Sequence, residues 1–493
     1  MRNLALATAF AGWLAAAAVC QADDQPNFLF LITDDQSHET LSCYGETACQ
    51  TPTLDRLAAG GLTIDEARHM GSWSGAVCLP SRTMIMTGRT VWHIPGRGRG
   101  KHADMPPDPQ ITTEEAADNS LPEVFNRAGY ATFRTCKTGN SFAAANKRFQ
   151  VVHEQMSREG TEANGSKWHA DRFVEWMDSQ AADDRPFLAY VGFSHPHDPR
   201  NATPELAAKY GASNDGPGET VPDAAPPLPK TWLPRHPFPL GQPKLRDEVA
   251  VQGVLTRRDV ATVRNETGRE FACIENIDTQ IGRVLDALER SGRSDRTYVF
   301  FTSDHGMSVG RHGLMGKQNL YEHTWRVPFL VSGPDVEPGS RAAGGFYLLD
   351  VLPTLCELAG IEVPDTVEGK SFAPVIRGEA DRIRDVMYGV YAGGTKPGIR
   401  AVKRGDWKLV EWDVLDGTVR RSQLFNLKKN PREFLDQHRM VDVVAATGHT
   451  PAPNQRNLAY EPEHAETLAA MRSLLRQQMT ELDDPFPLAG LAP

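Results

Sequence analysis

The sequence predicts an α/β protein: a large, mostly parallel sheet sandwiched by helices, followed by a smaller α+β subdomain. Continuous apolar runs at residues 27–33 and 186–193 show no polar alternation and suit strands buried on both faces of a parallel sheet. Between such runs lie stretches with helix starts, helix stops and three- to four-residue apolar spacing. After about Asp365 the texture changes to short strands split by glycine-rich or charged turns.

In chain order, the N-terminus reads as an export signal. Arg2 gives a positive start, residues 4–19 are apolar and alanine-rich, and Cys20-Gln21-Ala22 offers small residues for cleavage before Asp23-Asp24. A lipoprotein site at Cys20 is the rival reading, disfavoured by Val19 before it. No later stretch is apolar for long enough to span a membrane, so a secreted or periplasmic protein with no membrane partner is expected. The expected division is a signal over 1–22, a main domain over 23–375 and a C-terminal subdomain over 376–493, the last with a small antiparallel sheet and a terminal helix.

The first strand ends in Asp34-Asp35. Thr51-Pro52 then opens a helix that Gly60-Gly61 closes. Pro80 and Ser81 place a helix start beside Cys78, and Gly88 suits its stop. Another helix runs from Ser120 to a stop at Gly129, and a strand over 130–135 leads to Lys137. The strand over 186–193 delivers Ser194-His195-Pro196-His197, and the proline-rich residues 202–247 read as a long loop. From Thr267, Phe271, Ile274, Ile277, Ile281, Leu285 and Leu288 mark an amphipathic helix. It feeds a strand over 297–302 that ends in Ser303-Asp304-His305-Gly306. A helix over 348–358, strands over 386–391, 398–403 and 407–412, and a terminal helix over 463–482 complete the chain.

At 493 residues, 40% hydrophobic and 24% charged, the chain can bury a large core and is not disordered. A net charge of −10 argues against nucleic acid as a partner but leaves room for a local anion pocket. Seven cysteines, of which Cys20 falls in the signal, do not look like a disulfide framework. Cys43 and Cys49 are the one close pair, and a bridge between them stays open.

Four motifs sit where strands end: Asp34-Asp35, Lys137, His195 to His197, and Asp304-His305. Singly, each fits a turn, a cap or a solvated loop. Together, at the carboxyl ends of parallel strands, they read as one site. Asp34, Asp35 and Asp304 offer hard oxygen donors suited to Ca²⁺ or Mg²⁺, and the nitrogen of His305 admits a borderline transition metal. Cys78 faces the positive end of a helix with Arg82 in the first turn.

The run Cys78-Leu79-Pro80-Ser81-Arg82, with Thr87-Gly88 following, resembles the signature of the type I sulfatases, members of the alkaline phosphatase superfamily. Ser303-Asp304-His305-Gly306 and Gly310-Arg311-His312-Gly313 look most like its iduronate-2-sulfatase-like and polysaccharide-degrading branch. The resemblance implies an alkaline-phosphatase-like fold and hydrolysis of a sulfate ester, with a sulfated carbohydrate as substrate. It implies that a formylglycine-generating enzyme oxidises Cys78 to 3-oxoalanine (formylglycine), whose hydrate attacks sulfur. It further implies a calcium, with magnesium as the alternative, held by Asp34, Asp35, Asp304, His305 and the group at Cys78. Lys137 and Lys317 would bind sulfate, Asp304 would take a proton from the nucleophile, and His197 would protonate the leaving alcohol. His195 is the competitor for that last role and a substrate contact. Arg82 belongs to the catalytic set. One departure stands out: Gly139 replaces the histidine that the family places two residues after the lysine at 137. A phosphodiester or phosphonate monoester hydrolase of the same superfamily, or a secreted metal- and sugar-binding protein without catalysis, are the alternatives.

Overall fold

The apolar run at the start of the chain becomes the centre of the molecule. The computed structural model describes residues 25–45, 48–96, 111–155, 165–238, 258–393, 396–415 and 417–489; the expected signal and its cleavage site lie outside these. Eight strands form the large sheet: β1 (Asn27–Asp34), β2 (Leu62–Ile64), β3 (Ala131–Cys136), β4 (Val151–Glu154), β5 (Phe187–Pro196), β6 (Thr297–Ser303), β7 (Phe329–Ser332) and β8 (Ser340–Ala342). Their spatial order is β8-β2-β7-β6-β1-β5-β3-β4. β1 pairs in parallel with both β5 and β6, and all its residues are buried. Only β7 runs antiparallel to its neighbours β2 and β6, so the sheet is mixed but mostly parallel.

Successive side chains of a strand point to opposite faces, and β1 shows what that does. Phe28, Phe30 and Ile32 join one core with α2 (Cys78–Thr87), α3 (Leu121–Arg127) and α6 (Val351–Ala359). Leu29 and Leu31 join another with α1 (Pro52–Ala59), α4 (Ser166–Ser179) and α5 (Val260–Arg290). A strand that must be apolar at every position carries no alternation, and that is why its sequence reads as an unbroken run.

α5 begins at Val260 rather than at Thr267. Asp259 caps it by accepting from the Thr262 N–H at 2.9 Å. Its first turns carry Arg264, Asn265, Glu266, Arg269 and Glu270, mostly buried but polar, and so hide the apolar period there. The proline-rich stretch contains one short helix, Pro204–Lys209, and is otherwise irregular where described. Cys43 and Cys49 are free thiols. No described helix is long and apolar enough to cross a membrane.

A second sheet holds β9 (Val386–Tyr391), β10 (Gly398–Arg404), β11 (Trp407–Val414) and β12 (Val419–Asn426), all antiparallel, with α7 (Ala465–Glu481) packed against β10 and β11. Its fifth member comes from far upstream: Gly71–Ser72 pairs in parallel with Val390–Tyr391. Gly71 has φ +103°, and a Cβ there would run into the Val390 carbonyl, so only glycine fits.

A buried ionic cluster ties the second sheet to Arg68 and to the short helix that holds Glu322. Arg68 donates to both oxygens of Glu322 at 2.9 and 2.7 Å. Lys408 on β11 reaches Glu322 at 2.9 Å and Glu433 at 2.7 Å. The ring of Trp325 has Arg68 at 4.4 Å and Lys408 at 5.0 Å from its centroid. Removing one member leaves uncompensated charge in the interior. Lys408→Met should therefore destabilise the fold by about 3–5 kcal/mol, read as a fall in the thermal unfolding midpoint. Adding Glu433→Gln should recover part of that fall.

Candidate active site

Strand direction assembles the site. β1, β3, β5 and β6 are parallel neighbours, so their carboxyl ends lie along one edge of the sheet. Asp34 ends β1 opposite Pro196, and Thr33 pairs with Ser303. The edge thus presents Asp34, Asp35, Lys137, His195, His197, Asp304 and His305, all buried. α2 is aimed at this edge, with Cys78 as its first residue and Gly88 as a left-handed stop at φ +64°.

Arg82, one turn into α2, locks the helix to the strand ends. Its Nε donates to Asp304 Oδ2 at 2.8 Å, Nη1 to Cys136 Sγ at 3.1 Å and Tyr190 Oη at 3.4 Å, and Nη2 to the Thr33 carbonyl at 3.4 Å. Ser81 Oγ donates to the Asp304 carbonyl at 2.6 Å. Asp35 sits in the left-handed region at φ +77°, held by its own N–H donating to Asp304 Oδ1 at 3.1 Å.

Around Cys78 the charges alternate closely. Lys317 Nζ lies 3.4 Å from Cys78 Sγ and 2.8 Å from each oxygen of Asp35. His305 Nε2 lies 3.3 Å from Cys78 Sγ and 3.0 Å from Asp35 Oδ1. Lys137 Nζ contacts both oxygens of Asp34, at 2.7 and 2.5 Å. His197 Nε2 stands 3.8 Å from Asp35 Oδ2, while its Nδ1 lies 2.7 Å from the Asp198 carbonyl and 2.8 Å from Asp198 Oδ1. His195 is buried at the end of the same strand.

Burial works to raise the pKa of Cys78, but the ammonium groups of Lys137 and Lys317 overcome it and bring the thiol down to about 6. Burial also opposes charge on His197. Asp35 outweighs it and lifts the imidazole to about 10, so His197 carries its proton at neutral pH. For Asp35, burial is overcome by His197, Lys317 and His305, which hold the carboxyl well below its ordinary range.

The ligand atoms of Asp34, Cys78, Asp304 and His305 lie within 4.8 Å of one another, as do those of Asp35, Cys78 and His197. Three carboxylates and one imidazole converging beside position 78 fit a divalent cation. Beyond Lys137, Gly139 has φ +71°, and a Cβ there would meet nothing within 4 Å. The nearby His169 is a buried structural residue. Its Nδ1 contacts Thr135 Oγ1 at 2.8 Å and Nε2 contacts Ser194 Oγ at 3.2 Å, and burial drives its pKa to about 3.

The residues expected from the sequence fall in one cluster, except His195, which is placed only at the end of its strand. The supporting partners were not legible: Tyr190 and Cys136 against Arg82, and Gln318, whose Oε1 accepts from the Lys317 N–H at 3.1 Å. Tyr190 and Cys136 are set by strand register and Gln318 by its loop, and no local motif records either.

Residues 26–361 match the family profile described as Sulfatase, and residues 310–447 match one described as N-sulphoglucosamine sulphohydrolase, C-terminal. An N-acetylglucosamine-6-O-sulfatase of Bacteroides thetaiotaomicron is 23% identical over 481 residues, covering 83% of this chain and 82% of that protein. The human iduronate 2-sulfatase is 25% identical over 414 residues, covering 71% and 72%. Among solved structures, a phosphonate monoester hydrolase from Silicibacter pomeroyi shares the fold with a TM-score of 0.69 at 19% identity, covering 94% of this chain and 96% of that one.

Lysine at position 82 would keep the charge but lose the planar fork that reaches three strand ends. Arg82→Lys should lower turnover about a hundredfold through misplacement of Asp304 and Cys78, with the far-UV circular dichroism spectrum unchanged.

Proposed function

The chain belongs to the sulfatase family, and on that premise we propose that it releases inorganic sulfate from a sulfated carbohydrate with a nucleophile made by oxidising Cys78 to formylglycine. The observation that carries this reading is the setting of Cys78 Sγ, with Lys317 Nζ at 3.4 Å and His305 Nε2 at 3.3 Å, at the start of a helix. A buried thiol in this position could attack sulfur, but the resulting thiol ester has no second hydroxyl whose deprotonation expels sulfate. An aldehyde hydrate has one, and that is the chemical reason for conversion.

Asp34, Asp35, Asp304 and His305 would hold the divalent cation, Ca²⁺ or Mg²⁺, which when bound supplies positive charge beside the nucleophile and the ester oxygens. Lys137, against Asp34, and Lys317, against Cys78, would neutralise the sulfate oxygens as charge develops on them. Asp304 takes the proton of the attacking hydroxyl, held in place by Arg82. His197 gives its proton to the departing alcohol, and the carbonyl and carboxylate of Asp198 keep its Nε2 turned toward the site. With Gly139 beside Lys137, the proton lost on sulfate release goes to a group other than an imidazole at that position.

Carbohydrate as the substrate class is supported by the sugar sulfatases among the relatives, and export by the apolar, alanine-rich N-terminus. The formylglycine-generating enzyme is then a partner during maturation. A fold shared with a phosphonate monoester hydrolase makes phosphodiesters the control that matters.

Sulfate release from sulfated oligosaccharides should be abolished in Cys78→Ala. The tryptic peptide His69 to Arg82 should be lighter than the thiol form by exchange of a sulfur and two hydrogens for one oxygen. Undiminished activity in Cys78→Ala, or faster turnover of a matched aryl phosphodiester than of the aryl sulfate, overturns the reading. His197→Gln should slow hydrolysis of alkyl sulfates on the order of a hundredfold or more. Aryl sulfates with acidic phenols, which leave without a proton, should be slowed far less.

A further inference from the structure

The second sheet carries a basic, aromatic groove on its outer edge that the chemistry at Cys78 does not use. Two adjoining hollows, of about 230 and 500 Å³, share Tyr460 and Arg472 as a common wall. They lie between the edge strand β12 and helix α7. Tyr460 is 67% exposed, the most exposed large aromatic side chain among the described residues. It is not loose: its Oη accepts from the Ser422 N–H at 3.2 Å, which fixes the ring against the strand.

Four arginines line the groove, at positions 420, 421, 472 and 476, against the carboxylates of Glu411, Asp413 and Glu461. Each of those carboxylates has an arginine partner, although Asp413 Oδ1 has no hydrogen-bond partner among the described residues. Glu411 pairs with Arg472 at 2.8 Å, Asp413 with Arg420 at 3.3 Å, and Glu461 with Arg456 at 3.0 Å. Arg421 and Arg476 are exposed and have no carboxylate partner among the described residues. In a chain of net charge −10, this leaves two available guanidiniums flanking an anchored aromatic ring.

We propose that this groove is a non-catalytic binding site for a sulfated oligosaccharide, a segment of the polymer whose sulfate ester is cleaved elsewhere on the molecule. The proposal rests on the carbohydrate sulfatase reading above. An aromatic face gives the apolar C–H face of a sugar ring something to pack on, at little cost in side-chain entropy. The guanidinium fork matches the tetrahedral oxygens of a sulfate group, with two charge-assisted hydrogen bonds from one side chain. A fixed ring between two arginines that lack a carboxylate partner among the described residues, Arg421 Nη1 donating only to the Arg420 carbonyl at 2.8 Å, therefore suits a sulfated sugar better than a neutral one.

The test uses the full chain and two variants, Tyr460→Ala and the double Arg421→Glu, Arg476→Glu, checked for an unchanged thermal midpoint. Electrophoresis through gels containing heparin should retard the wild type, and both variants should be retarded less. Chemically desulfated heparin should retard none of them. With a sulfated polymer as substrate, KM should rise about fivefold in the variants at constant kcat, while 4-nitrophenyl sulfate is turned over as by the wild type. Equal retardation of wild type and variants overturns the proposal. So does equal retardation by desulfated heparin, or by duplex DNA at matched charge, which marks a general polyanion surface. If the wild type hydrolyses no sulfate ester of any size, the carbohydrate sulfatase reading fails, and the gel comparison still decides the groove.

Discussion

A guanidinium sealed from water holds the site together. Arg82 spends its donors on a carboxylate, a thiol, a phenol and a backbone carbonyl, drawn from β1, β3, β5 and the residue after β6. A buried cation needs these partners, because an unpaired one would cost several kcal/mol. The demand works in both directions: the strand ends must be in register for Arg82 to be satisfied, and Arg82 must be in place for α2 to present Cys78. Gly192 belongs to the same constraint. A Cβ there would collide with Cys136 Sγ and push it away from the arginine.

The charges beyond Arg82 follow from that anchoring. Three aspartates, two lysines and two histidines sit within a region almost free of solvent, where each pair is stronger than at a surface. No member can be understood alone. Lys317 depresses the thiol and also counters Asp35, which in turn keeps the proton on His197. Removing one charge would redistribute protons over the rest.

Much of this was legible in the sequence because the decisive signals were local. An apolar strand that stops at Asp34-Asp35, or at Asp304-His305, shows both its burial and its functional end in a few adjacent residues. The Cys78 to Arg82 run is one helical turn and carries its own geometry. What could not be read was set by distant contacts. The polar first turns of α5 are buried against Arg200 and Asn201, so their polarity says nothing of exposure. β12 carries Arg420 and Arg421 on an outer edge and shows no apolar period there. Gly71–Ser72 is too short to announce a strand, and its partner lies at Val390–Tyr391.

That pairing also sets a timetable. Chains are made from the N-terminus, and Ser72 has no strand to join until synthesis has passed Tyr391. Cys78 lies between these two landmarks in time, six residues beyond a segment still waiting for its partner. Cys78 has no exposed surface in the finished fold, so its final setting is complete only after that late stretch of chain has been made.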